Sequence, residues 1–222
     1  IKQYQEHSQQ EADDLIEKAH QSFLTWRKTP FVKRAKILQN CADILEKRKN
    51  NLAQIMTDEM GKPIREALAE IDKCAWVCRY YAESAERFLK EEEVATDFKK
   101  SIIVYQPIGC VLAIMPWNYP FWQVFRFAAP NLMAGNTLIL KHAENVSGCA
   151  LAISDIFKKA CLPENAFVSL LMGKDRTKFL IKHPKVKAIT LTGSTRAGKE
   201  VASLAGQYLK KTVLELGGSD PY

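Results

Sequence analysis

The sequence predicts an α/β fold: a Rossmann-like, doubly wound parallel sheet preceded by a layer of N-terminal helices. Two observations predict it. From about residue 107 onward, five short apolar runs alternate with helical patterns, as strands covered on both faces by helical crossovers do. Before that point, apolar residues recur at spacings of three and four in a charged background, the mark of amphipathic helices. A count of only 10 Gly and 9 Pro fits a chain of long elements rather than loops.

The first helix starts at Ser8 and carries Ala12, Leu15, Ile16, Ala19, Phe23 and Trp26 on one face. Thr29 reads as an N-cap with Pro30 at the first helical position. Helix then continues to Met60 with a break near Asn50-Asn51, and Gly61 closes it. Pro63 restarts a helix through Ala67, Ile71, Ala75, Cys78, Ala82 and Ala85 to Leu89. The charged surface of these helices reads as a structural layer without chemistry. A β-like run at 101–105 ends in the turn residues of 107–109. Strands follow at 110–115, 137–141, 167–171, 186–192 and 211–216, with helices at 120–134, 147–161, 175–182 and 195–204 between them.

Composition narrows the function classes. At ~150 residues per domain the length amounts to about one and a half domains, enough to bury roughly 70–75% of the unfolded surface without a disulfide or metal staple. With 47% hydrophobic and 26% charged residues, the chain is neither disordered nor collagen-like. The longest apolar stretch, 108–117, is interrupted by Gly and Pro and far shorter than the ~20 residues of a membrane span, so a soluble protein is expected. The net charge of +7 is spread along the chain and mixed with acids, as in Glu46-Lys47-Arg48-Lys49. That pattern reads as solvated helix faces rather than a nucleic-acid partner, and its field would favour an anionic small ligand. The six cysteines (41, 74, 78, 110, 149, 161) sit inside apolar patterns with no signal peptide, so we expect small core thiols in a reducing, cytoplasmic compartment. Cys74 and Cys78 share a helix face but have no companion pair, and His7, His20, His142 and His183 are scattered, so no metal site is expected. The chain opens at Ile1 and stops at Tyr222 directly after a strong motif, which suggests a fragment.

The chemistry concentrates where strands end, which is where doubly wound sheets bind their ligands. The first sheet strand runs into Pro116-Trp117-Asn118-Tyr119-Pro120. An Asn fixed between aromatics and prolines can offer amide hydrogens to a developing negative charge, although taken alone it reads better as a turn residue. The second ends in Lys141-His142-Ala143-Glu144, suited to ribose hydroxyls or to a plain surface ion pair. The fourth runs into Thr192-Gly193-Ser194 and a helix start, an anion site for phosphate. The same stretch, with Gly193, Gly198 and Lys199, fits most of a Walker A loop, but Glu200 stands where a magnesium-binding hydroxyl is required, which disfavours a P-loop ATPase. The fifth ends in Glu215-Leu216-Gly217-Gly218, a possible general base beside yielding backbone.

In this order, the four motifs resemble those of the aldehyde dehydrogenase superfamily over essentially the whole chain. The resemblance implies NAD(P)-dependent oxidation of an aldehyde to an acid through a cysteine thioester. It implies Asn118 as oxyanion donor and Glu215 as the base that activates water. It places Lys141 and Glu144 on the adenosine ribose, Gly193 and Ser194 on the pyrophosphate, and Trp117 and Leu216 at the cofactor, with Tyr119 lining the aldehyde tunnel. His142 departs from the usual Pro of that motif. The family's nucleophilic cysteine lies beyond the last motif, and none of the six cysteines takes its place, so the 222 residues alone should be inactive. The implied organisation is a helical layer over 1–93, part of an oligomerisation arm over 94–106, a NAD(P)-binding domain over 107–216 and the start of a catalytic domain over 217–222. The full-length parent is expected to be a homodimer or homotetramer. A non-catalytic nucleotide-binding module is the alternative.

The helix after Asn118 is apolar almost all round except for Gln123 and Arg126, three apart and so on one face. If that face lines the tunnel, Arg126 fits a substrate carboxylate bidentately; otherwise it pairs with a carboxylate at a domain interface. Bacterial succinate semialdehyde dehydrogenases are similar here, which implies an ω-carboxylated aldehyde. Because Glu144 repels a 2′-phosphate, NAD is the expected cofactor, with NADP possible.

Overall fold

The computed structural model describes residues 2–218. Residues 219–222, the last four of the segment expected to open a catalytic domain, lie outside the described residues.

Four helices come first: α1 (Gln9–Trp26), α2 (Phe31–Lys47), α3 (Lys49–Met60) and α4 (Ile64–Phe88). Ser8 caps α1 in a full capping box with Glu11. Pro30 occupies the capping position of α2 itself, one place before the first helical residue, so Thr29 is not the cap. The break in the second helical stretch falls at Arg48, slightly ahead of the asparagines, and Gly61 closes α3 in the left-handed conformation, φ 74°.

A small antiparallel hairpin follows, β1 (Glu92–Glu93) with β2 (Ile102–Ile103). The β-like run at 101–105 therefore shrinks to two residues, and its partner strand has no apolar signal at all. The main sheet comprises β3 (Cys110–Met115), β4 (Thr137–His142), β5 (Phe167–Ser169), β6 (Val186–Gly193) and β7 (Lys211–Leu216). Its crossovers carry α5 (Trp122–Ala134), α6 (Ser147–Lys159), α7 (Thr177–Lys182) and α8 (Thr195–Gln207). All pairings are parallel and the order is β5-β4-β3-β6-β7. The doubly wound expectation is thus met, and the order reverses between β3 and β6, the kind of position at whose carboxyl ends such sheets bind ligands.

Alternate residues of β3 feed two cores. Val111, Ala113 and Met115 join α2, α3, α4, α5 and α6 on one face. Cys110 and Leu112 join α1, α7 and α8 on the other. Five of the thiols are buried among these residues, whereas Cys161 is exposed just past α6, where its own φ of 65° is left-handed. No helix among the described residues is long and apolar enough to cross a membrane.

The helical layer does more than cover the sheet. Arg34, buried on α2, donates to the Met133 carbonyl at the end of α5. Glu59 of α3 accepts the Gly148 and Cys149 N–H groups that open α6, at 2.7 and 2.9 Å. Glu70 of α4 accepts the N–H groups of Phe121 and Trp122 where α5 begins, at 2.8 and 2.9 Å. Each of these side chains satisfies backbone groups that a helix end leaves open, with the sign of charge the helix dipole favours.

Candidate active site at the carboxyl edge of the sheet

The turn after β3 holds Trp117, Asn118 and Tyr119 at the surface, with Asn118 exposed and the two rings about half-exposed. Its backbone is fastened on both sides. Lys62, buried just before α4, donates to the Asn118 carbonyl at 3.0 Å. His142, the last residue of β4, bonds the Pro120 carbonyl through Nε2 at 2.8 Å, while its Nδ1 accepts the Ala143 N–H at 2.9 Å. These two contacts fix one neutral tautomer, with the proton on Nε2. Burial favours that neutral form, pushing the ring's pKa down to about 4. The residue that departs from the family motif therefore ties the second strand end to the first.

Lys141 is buried on β4 and its ammonium lies 3.8 Å from Glu144. Burial lowers the Lys141 pKa, opposed by the Glu144 carboxylate. Glu144 opens a single 3₁₀ turn and accepts the Lys174 N–H at 2.9 Å. At the end of β6, Gly193 passes directly into α8, which Ser194 caps by accepting the Ala197 N–H at 3.2 Å. Gly198 lets the strand after α8 close over it. A Cβ there would stand 2.5 Å from a methyl of Leu216. Residues 195–199 are already helical, so a phosphate-wrapping Walker A loop has no room, and the P-loop alternative fails on geometry.

The fourth station joins α5 to β7. Arg126 lies 3.7 Å from Glu215 and donates to the Gln123 side-chain oxygen at 3.1 Å. Thr192, at the end of β6, reaches the same oxygen at 3.4 Å. A cleft of about 360 Å³ runs beside them, bordered by Met115, Phe127, Thr190 and Val213. Among the described residues the carboxylate beside Arg126 is the Glu of the sheet's own last strand. Both side chains keep over a third of their surface in solvent (38% and 52%), so the contact is weak and open to competition.

The structure separates the predicted residues into two groups on one edge. Lys141 and Glu144 stand at β4, and Glu215 at β7 with Arg126 of α5 against it, and β3 and β6 lie between the two strands. Three strand spacings put these groups roughly 14 Å apart, and the Asn118 turn and the start of α8 fall between. An extended ligand with a polar group at each end matches that spacing. Lys62, Glu70 and His142 were not read from the sequence as parts of the site. Two of them left a signal: Glu70 lies in phase with Ala67, Ile71 and Cys74 on the buried stripe of α4, and a charge in such a stripe must be paired. Lys62 is held between a left-handed Gly61 and Pro63.

Known proteins are similar to this chain in both sequence and fold. The chain matches the aldehyde dehydrogenase family over residues 1–222. A Synechocystis protein named probable succinate-semialdehyde dehydrogenase, NADP(+), is 54% identical over 216 residues, 97% of this chain and 48% of its own length. A Mycobacterium leprae protein named succinate-semialdehyde dehydrogenase, NADP(+), is 46% identical over 225 residues, all of this chain and 49% of its own. The crystal structure of succinic semialdehyde dehydrogenase from Streptococcus pyogenes in complex with NADP+ superposes with a TM-score of 0.96 at 35% identity, covering 99% of this chain and 49% of that one. The chain spans about half the length of the curated relatives it matches. With the strand order, the four strand-end motifs and a match along its entire length in agreement, the chain belongs to the aldehyde dehydrogenase family.

Proposed function

We propose that these residues form the cofactor-binding half of an enzyme that oxidises succinate semialdehyde, or a closely similar ω-carboxylated aldehyde, to the acid with a nicotinamide dinucleotide. The observation that carries this reading is Arg126, a half-exposed guanidinium held beside Glu215 at the cleft rather than neutralised in the core. The names of the relatives point the same way.

The donor set fits a dinucleotide. Lys141 and Glu144 offer a cation and an anion 3.8 Å apart to neighbouring hydroxyls. The first turn of α8, after Gly193 and Ser194, presents N–H groups toward a diphosphate, and Leu216 gives an apolar wall over Gly198. When bound, the cofactor accepts the hydride. The Lys141 ammonium and the Lys174 N–H both lie against Glu144, so its repulsion of a 2′-phosphate is partly cancelled and NADP is accepted along with NAD. Trp117 flanks the cofactor and Tyr119 the aldehyde.

The chain's own groups have distinct tasks. The Asn118 amide donates to the aldehyde oxygen as it becomes an oxyanion. The Glu215 carboxylate takes a proton from the water that releases the acid, and Arg126 turns from Glu215 to the substrate carboxylate. The thiol that forms the thioester comes from outside these 222 residues. Burial raises the pKa of Cys41, Cys74, Cys78, Cys110 and Cys149, which makes them poor nucleophiles. Cys161 lies between α6 and the start of β5, at the opposite edge of the sheet. The 222 residues alone are therefore inactive. We assign the exposed hairpin region around Val94, Phe98 and Ile103 to subunit assembly of the whole protein, and the reduced thiols to a cytoplasmic setting.

The test is turnover by the full-length gene product. Succinate semialdehyde should be oxidised with NAD or NADP, and Asn118→Ala should lower kcat by about 10²–10³. An inactive full-length protein, or an unchanged kcat in the variant, contradicts the reading.

A further inference from the structure

We propose that Lys62 and Glu70 form a buried positioning pair that holds the Asn118 turn, and so aims the oxyanion donor, from outside the nucleotide-binding sheet. This rests on the functional reading above. The pair is almost fully enclosed, with side-chain exposures of 4% and 1%. Its hydrogen-bonding capacity is spent on the turn. The Lys62 ammonium has three hydrogens and three acceptors: the Glu70 carboxylate, the Asn118 carbonyl at 3.0 Å and the face of the Tyr119 ring, 3.5 Å from its centroid. The other Glu70 oxygen takes the N–H groups of Phe121 and Trp122. Four of the five residues between Asn118 and Trp122 are therefore held by one ion pair, and the fifth, Pro120, is held by His142.

Lys62 is itself fixed from its own segment. Gly61 is left-handed, Pro63 restricts the other side, and the Thr57 hydroxyl donates to the Lys62 carbonyl at 2.8 Å. Stability gives no reason for this arrangement. A buried ion pair is generally no more stable than well-packed apolar residues of the same size, and fully buried Lys and Glu are rare. Arg34 and Glu59 show how the same helical layer caps helices away from the Asn118 turn: their cap contacts are to the end of α5 and the start of α6. Lys62 and Glu70 instead reach the carbonyl of the proposed oxyanion donor and the residues that follow it.

The double variant Lys62→Met/Glu70→Gln in the full-length gene product tests this. Met fills the space of the lysine stem, and the Gln oxygen still accepts the two α5 N–H groups, so the fold is kept while the fastening of Asn118 and Tyr119 is lost. A donor displaced only in the transition state lowers kcat and leaves KM alone. The expected result is a fall of about tenfold or more in kcat on succinate semialdehyde, KM for aldehyde and cofactor within about threefold, and a nearly unchanged Tm. Hydrogen exchange supplies a readout independent of turnover: amides of 117–119 should exchange about tenfold faster, with the rest of the sheet unaltered. Glu59→Gln is the control, lowering Tm without a change in kcat.

Wild-type kcat together with wild-type exchange at 117–119 overturns the proposal. So does a double variant whose Tm drops while its kcat per folded molecule holds. Should the double variant fail to fold, Lys62→Arg keeps the charge beside Glu70 but alters the reach to Asn118, and a wild-type kcat there overturns the proposal as well. A wild-type protein that oxidises no aldehyde contradicts the functional reading instead, and the exchange measurement then decides the positioning pair alone.

Discussion

Individual residues of the proposed site drew notice in the sequence where their type is out of place. Asn118 between prolines and Glu215 at the end of an apolar strand are unusual, and both stand at the carboxyl edge. His142 was visible as a departure from the motif but not as a fastening, because its partner is a backbone carbonyl 22 residues away, and carbonyls carry no sequence signal. Its burial has a consequence for pH. The folded pKa of about 4 lies below the ordinary value of about 6.5. The unfolded chain therefore binds more protons in that window, and this contribution to stability, complete above about pH 6.5, is lost as pH falls toward 4. Denaturant titrations should show about 2 kcal/mol more loss between pH 7.5 and 5 in the wild type than in His142→Gln; parallel losses would show that the ring is free to protonate in the fold. Glu144 supports a second expectation. Removing its charge should favour the 2′-phosphate, so Glu144→Gln should raise the NADP-to-NAD affinity ratio by about tenfold, and an unchanged ratio would place the 2′-hydroxyl elsewhere.

Elements were legible in proportion to their length and apolar periodicity. The strands β3 and β7 coincide with their predicted runs, and α1 and α4 follow their apolar stripes from cap to cap. The hairpin strand β1 was not legible, since two exposed glutamates gain strand geometry only by pairing with Ile102 and Ile103. Contacts between elements were the larger omission. The helices of the first ninety residues looked inert because their charges looked solvated, yet Arg34 and Glu70 grip the two ends of α5. The packing of α8 against β7 gives a direct prediction. In Gly198→Ala the new methyl meets the movable end of Leu216, a side chain that is 39% exposed. Leu216 should swing aside at a cost of under about 1 kcal/mol, while affinity for NAD(P) falls about fivefold or more as the apolar wall shifts. Isothermal titration and a thermal melt on one preparation separate the two, and an unchanged affinity would remove Leu216 from the cofactor site.

At the scale of the whole molecule, the alternation of strands and helices was sufficient for the fold class, because parallel strands with right-handed crossovers leave few arrangements. The proposed function rests on what the strand order brings to one edge: a cation–anion pair at β4, a fastened Asn turn after β3, a capped helix start after β6 and an Arg–Glu contact between α5 and β7. The central claim is that this edge receives an aldehyde with a carboxylate at its far end. It is tested most directly by kcat/KM of the full-length gene product for succinate semialdehyde and for butyraldehyde, in the wild type and in Arg126→Ala. The account predicts a loss of about 30–100-fold on succinate semialdehyde, the worth of a charge-assisted bidentate contact, with less than about fivefold on butyraldehyde. Equal losses on the two aldehydes would contradict it and leave Arg126 as the partner of Glu215 alone.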